Sequence, residues 1–331
     1  VSARVGPDEH RIRLTLHYDG RAFAGWQVQP GERTVQGELE AALARLITVP
    51  TRVIAAGRTD RGVHATGQVV GAVVPRRWGA AELWRALNAV LPDDIWVADA
   101  TDVRADFHAR YDAVARGYTY RVGTAPVSRS PFFRGVCWPL GLPLPLDALN
   151  AAAARFVGDH SFLAFARTGQ PERGDRCTVY AADWVPWTPV GVTFRIVANR
   201  FLHHMVRYMV GTMVDVARGR RTIDEIDRML AHEAGVATSA PAPAGGLFLT
   251  RVFYGDDVTA GSAGRAGGTG DVGDVGDAGR AGDVGDADSA GGSGDTGDTG
   301  DAGDTGDTDD AGRAGGGRIW SGEDAGDEVL S

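Results

Sequence analysis

The pattern of this chain predicts an α+β fold: two split βαβ halves, a mainly antiparallel sheet flanked by helices, and a disordered C-terminal tail. Three observations carry that expectation. Residues 11–19 (Arg-Ile-Arg-Leu-Thr-Leu-His-Tyr-Asp) alternate apolar and polar, the period of a half-buried strand. Leu39, Leu43 and Leu46 recur at helical spacing. From residue 11 to residue 100 the patterns run strand, helix, strand, strand, helix, strand, the ferredoxin-like order.

The elements follow in turn. Residues 20–31 read as a loop holding Phe23, Gly25, Trp26 and Gln27. Thr34 is placed to cap a helix that runs to Ile47. A short strand spans 52–56, a glycine-flanked loop follows, and a strand covers 67–74. A helix at 80–88 and a strand at 95–100 complete the first half. In the second half, 111–122 is a strand and 146–156 a helix. Residues 178–187 and 192–198 form a strand pair around Thr188-Pro189-Val190-Gly191. Helices are expected at 202–218 and 223–231, with Met205, Met209 and Met213 on a core-facing side, and 247–254 closes as a strand. The expected units are 1–106, 107–255 and a tail over 256–331, with a cleft between the first two and a sheet continuous across them.

The tail is set apart by composition. Gly, Asp, Ala and Thr dominate it, and too few apolar residues are present to offset the entropy of ordering. Its Gly-Asp repeat has a period of three, unlike the nine-residue period of calcium-binding rolls. Charge divides at the same place. Residues 1–255 carry 30 Arg against 24 acidic residues, +6, whereas 256–331 carry 4 Arg against 19, −15. The acidic whole therefore hides a mildly basic body, which suits a polyanionic partner. All basic side chains are Arg, whose planar fork matches phosphate and stacks on bases; a GC-rich coding bias accounts for the same fact.

Cys137 and Cys177 make neither a disulfide framework nor a metal spacing, as in a reducing cytoplasm. No apolar run approaches a membrane span, and residues 1–10 lack a signal-peptide core. No dinucleotide fingerprint, P-loop or paired Cys/His set is present, so no cofactor and no metal are expected.

The chemistry concentrates in Ala56-Gly57-Arg58-Thr59-Asp60-Arg61-Gly62-Val63-His64-Ala65. One carboxylate, Asp60, stands among Arg58, Arg61 and His64, and nearby positive charge favours its ionised form. An ionised carboxylate is the state a nucleophile needs. A simple turn is the plain alternative for any Asp-Gly-rich loop. Downstream, Phe107-His108-Ala109-Arg110 leads to Arg116-Gly117-Tyr118-Thr119-Tyr120, and Asn199-Arg200-Phe201-Leu202-His203-His204-Met205-Val206-Arg207 opens the longest helix. The adjacent histidines lack a third metal ligand at suitable spacing.

These blocks, with Tyr18-Asp19-Gly20…Phe23-Ala24-Gly25-Trp26-Gln27 and Gly246-Leu247-Phe248-Leu249, resemble in order the tRNA pseudouridine synthase A family over residues 11–254. The resemblance implies Asp60 as catalytic aspartate, with Arg58 helping to extrude the target nucleotide. It implies Tyr118 lying on the target base and Arg207 pairing with Asp60. Gln27 and His64 are expected at the RNA, and Leu247 as a wall of the base pocket. Arg61 departs from the family, which has a small residue there. The implied activity is isomerisation of uridine to pseudouridine at positions 38, 39 and 40 of the tRNA anticodon arm, by a cytoplasmic homodimer. Attack on ribose, attack on base and a glycal path all remain open. A glycosidic hydrolase and a non-catalytic RNA-binding module are the rival readings.

Overall fold

A computed structural model describes residues 5–47, 51–167 and 174–255. The expected tail, 256–331, lies outside the described residues. The first half is β1 (Glu9–Tyr18), α1 (Val35–Ile47), β2 (Ile54–Ala55), β3 (His64–Pro75), α2 (Ala80–Val90) and β4 (Ile95–Val103). Thr34 caps α1, its Oγ1 accepting from Gly37 N at 3.2 Å. The second half is β5 (Ala113–Gly123), β6 (Trp138–Pro139), α3 (Leu146–Ala154), β7 (Gly158–Ser161), β8 (Arg176–Trp187), β9 (Gly191–Ala198), α4 (Met205–Ala217), α5 (Asp224–Leu230) and β10 (Leu247–Tyr254).

One sheet runs through both halves in the order β4-β1-β3-β10-β5-β9-β8-β7, with β2 on β3 and β6 on β5. The first half therefore reads β4-β1-β3-β2, all antiparallel, which is the split βαβ arrangement. Taking β5, β8, β9 and β10 as strands one to four of the second half, its order β10-β5-β9-β8 is the same, again antiparallel. The expected α+β plan of two split βαβ halves is what the chain adopts.

Two apolar cores lie along this sheet. Ile12, Leu14 and Leu16 of β1 meet Leu39 and Leu43 of α1 and Leu83 and Leu87 of α2 in one. Phe194 and Ile196 of β9 meet Met205, Met209 and Met213 of α4 in the other. Strand β10 serves both, giving Leu247 to the second and Leu249 and Val252 to the first.

Three expectations need correction. The long helix begins at Met205, not at residue 202, because His204 adopts a left-handed φ of 64° that no α-helix accepts. Strands β6 and β7 have no counterpart among the expected elements; two- and four-residue strands carry too little alternation to read. Residues 20–22, taken as loop, form a turn of 3-10 helix capped by Asp19.

Two of the contacts between the halves position the site. Phe248 and Leu249 of β10 pair in parallel with His64 and Ala65 of β3. Beside this seam, a Cβ on Gly67 would fall 2.1 Å from the Thr250 carbonyl oxygen, so only glycine permits the approach. The second contact is Arg116 on β5. Its guanidinium donates to Ala113 O (3.0 Å), Asn199 O (3.2 Å), Ala56 O (3.0 Å) and Arg110 O (2.8 Å). One cation thus ties the start of the Asp60 loop to the segment entering α4.

Gly67→Ala is expected to cost about 1–3 kcal/mol or more, because the obstructing atom is backbone; a urea unfolding midpoint unchanged from the parent would remove the seam argument. Arg116→Met leaves four carbonyls short of a donor and is expected to lose about 1–3 kcal/mol in the same measurement. A loss below about 0.5 kcal/mol, the scatter of ordinary surface changes, would make the clamp dispensable.

Candidate active site

Asp60 lies in the loop joining β2 to β3. The chain reverses at Arg61-Gly62: Val63 N donates to Asp60 O at 3.1 Å, and Gly62 has φ of 78°, the left-handed value a type II turn requires at its third position. The loop is pinned from behind. Thr59 Oγ1 shares a 2.8 Å hydrogen bond with the Tyr18 hydroxyl, whose pKa burial pushes up to about 12. Thr59 O accepts from Trp26 N (3.0 Å), and Gly57 O from Gln68 Nε2 (2.8 Å). These bonds hold the backbone and leave the Asp60 carboxylate facing outward.

That carboxylate lines a cleft of about 1250 Å³. Across from the loop stands the turn before α4. His203 Nε2 lies 3.3 Å from Asp60 Oδ1, and His204 Nε2 lies 3.4 Å from Oδ2. The guanidinium of Arg207 donates through Nε to Ala242 O (2.7 Å) and places Nη1 3.3 Å from His204 Nε2. Burial lowers the proton affinity of His204, and Arg207, His203 and Arg167 lower it further against the pull of Asp60. Together these effects favour the neutral imidazole of His204.

The floor is Tyr118 on β5, opposite Ile196 of β9 and Leu249 of β10. Its ring meets Phe201 edge to face, centroids 4.9 Å apart. Burial, with Tyr18 and Asp60 nearby, raises its pKa well above the ordinary value, so it stays a neutral phenol. Tyr120, on the same strand face, is fully buried and donates to Pro243 O at 2.7 Å.

Among the described residues, seven arginines line the cleft against one carboxylate. Arg58 and Arg61 come from the Asp60 loop, Arg110 and Arg116 from around the start of β5, and Arg167, Arg200 and Arg207 from around α4. Arg58 is exposed and has no ion-pair partner among the described residues. Arg61, the residue that departs from the family pattern, pairs with Glu32 at 2.9 Å.

The expected site residues can now be placed. Asp60, Arg58, Tyr118, Arg207, Gln27 and Leu247 all line this one cleft. His64 does not. It is only 2% exposed, takes Gly20 N on Nδ1 (3.1 Å), faces Asp19 Oδ1 (3.3 Å) and stacks on Phe248 with centroids 4.6 Å apart. Its place is behind the loop, as support. Arg207 is not on Asp60 either: among the described residues the partners of Asp60 are His203 and His204, and Arg207 reaches it through His204. With the helix starting at Met205, the two histidines stand in a turn rather than on a helix face with Arg207. Phe201, Arg116, Arg167 and Arg200 were not expected as cleft residues; only the closeness of three of them to quoted motifs hinted at it.

No helix among the described residues is long and apolar enough to cross a membrane. Cys137 and Cys177 are both free and buried.

A family model described as tRNA pseudouridine synthase matches residues 15–112 and 152–255. Proteins named tRNA pseudouridine synthase A are similar over most of their length. That of Solidesulfovibrio magneticus is 43% identical over 258 residues, covering 76% of this chain and 93% of its own. That of Moorella thermoacetica is 42% identical over 245 residues, 73% of this chain and 99% of its own. That of Maridesulfovibrio salexigens is 38% identical over 254 residues, 76% and 93%. Among solved structures, an archaeal box H/ACA sRNP Nop10-Cbf5 complex covers 74% of this chain and 50% of its own at 13% identity and a TM-score of 0.31, too slight a likeness to argue from. The matched segments contain Asp60 and its loop, the turn of His203 and His204, and Leu247, and the chain belongs to the tRNA pseudouridine synthase family of isomerases.

Proposed function

We propose that the chain converts uridine to pseudouridine at positions 38, 39 and 40 of the tRNA anticodon arm, with Asp60 as nucleophile. The observation that carries this reading is one carboxylate set among seven arginines in a single cleft of the described residues. The reaction needs little else. The bond from uracil N1 to ribose C1′ breaks and a bond from C5 to C1′ forms. C5 loses a proton and N1 gains one, so substrate and product are isomers and no co-reactant is consumed. An ionised carboxylate can attack ribose or base, or take a ribose proton. A hydrolase of the usual kind wants a second carboxylate, and among the described residues the cleft offers none.

The other residues take roles by position. The Tyr118 ring offers a stacking face for an extruded uracil. Arg58, exposed and without an ion-pair partner, can fill the stack the base leaves or meet phosphate. Gln27 and Leu247 border the same space. In this reading the unit 1–106 supplies Asp60, the unit 107–255 supplies Tyr118 and Arg207, and the RNA enters between them. Two copies working on one tRNA in the cytoplasm, and the pairing of Arg207 with Asp60, rest on the family resemblance.

Incubation of the purified chain with an unmodified tRNA transcript, followed by pseudouridine mapping, is expected to give signal at 38–40 and no free uracil. Asp60→Asn should cut the rate by ~1,000-fold or more while keeping RNA affinity; activity retained in that variant sinks the nucleophile assignment. Release of uracil would favour the hydrolase instead. Tyr118→Ala is expected to weaken binding of the anticodon arm by about 1–3 kcal/mol, with Tyr118→Phe binding as the parent does. Equal affinity of the Ala variant would show that no base rests on the ring.

A further inference from the structure

We propose that Asp60, His203 and His204 form a binding site for a divalent cation of the zinc class, and that its occupancy silences the cleft. The silencing rests on the reading of Asp60 as nucleophile; the binding does not.

One donor atom from each of the three residues lies within 4.8 Å of the other two. The two distances to the carboxylate are 3.3 and 3.4 Å. Ligands about 2.0–2.2 Å from a tetrahedral zinc ion stand roughly 3.3–3.5 Å apart. Each imidazole nitrogen therefore stands at ligand spacing from one oxygen of the carboxylate, His203 from Oδ1 and His204 from Oδ2, and all three residues lie within reach of a single ion. The fourth corner opens on the cleft, since the His203 side chain is 41% exposed and that of Asp60 32%. Three protein ligands with an open position is the arrangement of accessible rather than sealed zinc sites.

The backbone shows why two consecutive residues can do this. Neighbours on a helix or strand point well apart. The left-handed φ of 64° at His204 breaks that rule and turns both imidazoles to one side, ring centroids 4.1 Å apart. Both then present Nε2 to the same carboxylate. The third ligand comes from a distant loop, so sequence spacing shows only the pair.

The donor set selects the ion. Two imidazoles and one carboxylate suit zinc, nickel or copper, whereas magnesium and calcium prefer oxygen. Arg207 opposes binding, because its Nη1 at 3.3 Å contests the His204 Nε2 lone pair and adds positive charge. It would have to withdraw, and its Nε bond to Ala242 O leaves it an anchor when it does. A carboxylate held by a cation gives up electron density and is a poorer nucleophile, and the ion fills the space beside it, so occupancy and activity should oppose each other.

The test is zinc titration of the chelator-stripped full-length chain by calorimetry, in excess magnesium so that carboxylate-only sites in the acidic tail are already filled. Cobalt(II) absorption serves as a second probe of a four-coordinate site. One saturable zinc site is expected. His203→Ala, His204→Ala and Asp60→Asn should each weaken it by more than the ~10–100-fold that loss of a mere outer partner costs. His203 is exposed, so its variant should unfold at the parent's midpoint, which separates ligand loss from misfolding. Equal zinc affinity in the parent and in His203→Ala, or no saturable site, overturns the proposal. Pseudouridine formation should fall with the same midpoint as zinc occupancy and return on chelation. Full occupancy with undiminished formation would overturn the silencing and the nucleophile assignment together. No pseudouridine from metal-free protein would instead defeat the functional reading, with the calorimetric result still deciding the site.

Discussion

The placement of every reactive group depends on β10 lying against β3. Two split βαβ units could each close on their own sheet, and neither would then contain the cleft. The parallel pairing of Phe248 and Leu249 with His64 and Ala65, and the bare backbone at Gly67, bring the two sheets edge to edge. β2 covers the far part of that edge of β3, around Val70 and Gly71, and ends where β10 begins. Because β2 is only two residues long, the His64 end of β3 is left open to pairing. A longer β2 would compete for it. The short strand, followed at once by the turning loop of Asp60, leaves the carboxylate near the point where the two halves meet.

Concentrating seven arginines around that point is electrostatically expensive, and the fold offsets the repulsion in different ways. Arg116 is turned inward and spends its donors on carbonyl oxygens, which lowers its pKa through burial but satisfies its hydrogen bonds. Arg61 is drawn outward by Glu32. Arg207 is half-tethered by Ala242 O. Arg58 has no ion-pair partner among the described residues. A guanidinium without an ion pair therefore stands two residues before the carboxylate, which is where a polyanionic substrate would meet it.

Much of this was legible from residue types. The alternation of β1, the Thr34 cap and the methionine side of α4 report local periods, and the structure keeps all three. Asp60, Tyr118, Arg58 and Leu247 were found because short motifs mark them. What escaped depends on long-range placement or on a single dihedral. Nothing local says that Arg116 will reach Ala56, or that His64 will be buried against Phe248 instead of facing substrate. The start of α4 escaped because His204 has no glycine-like signature for a left-handed φ, yet that angle resets where the helix begins and where both imidazoles point.

The same angle explains why Arg207 stands one residue away from its expected partner. His204 Nε2 sits between a guanidinium, which can only donate, and a carboxylate, which can only accept. A neutral imidazole nitrogen cannot serve both. With the proton on Nε2 it donates to Asp60 and turns Arg207 away; with the proton on Nδ1 it accepts from Arg207 and leaves Asp60 to His203. Desolvation and the surrounding cations favour the neutral ring, for which the choice is between tautomers. The imidazole thus stands where direct pairing of Arg207 with Asp60 would have to form, and the two can meet only if it moves aside.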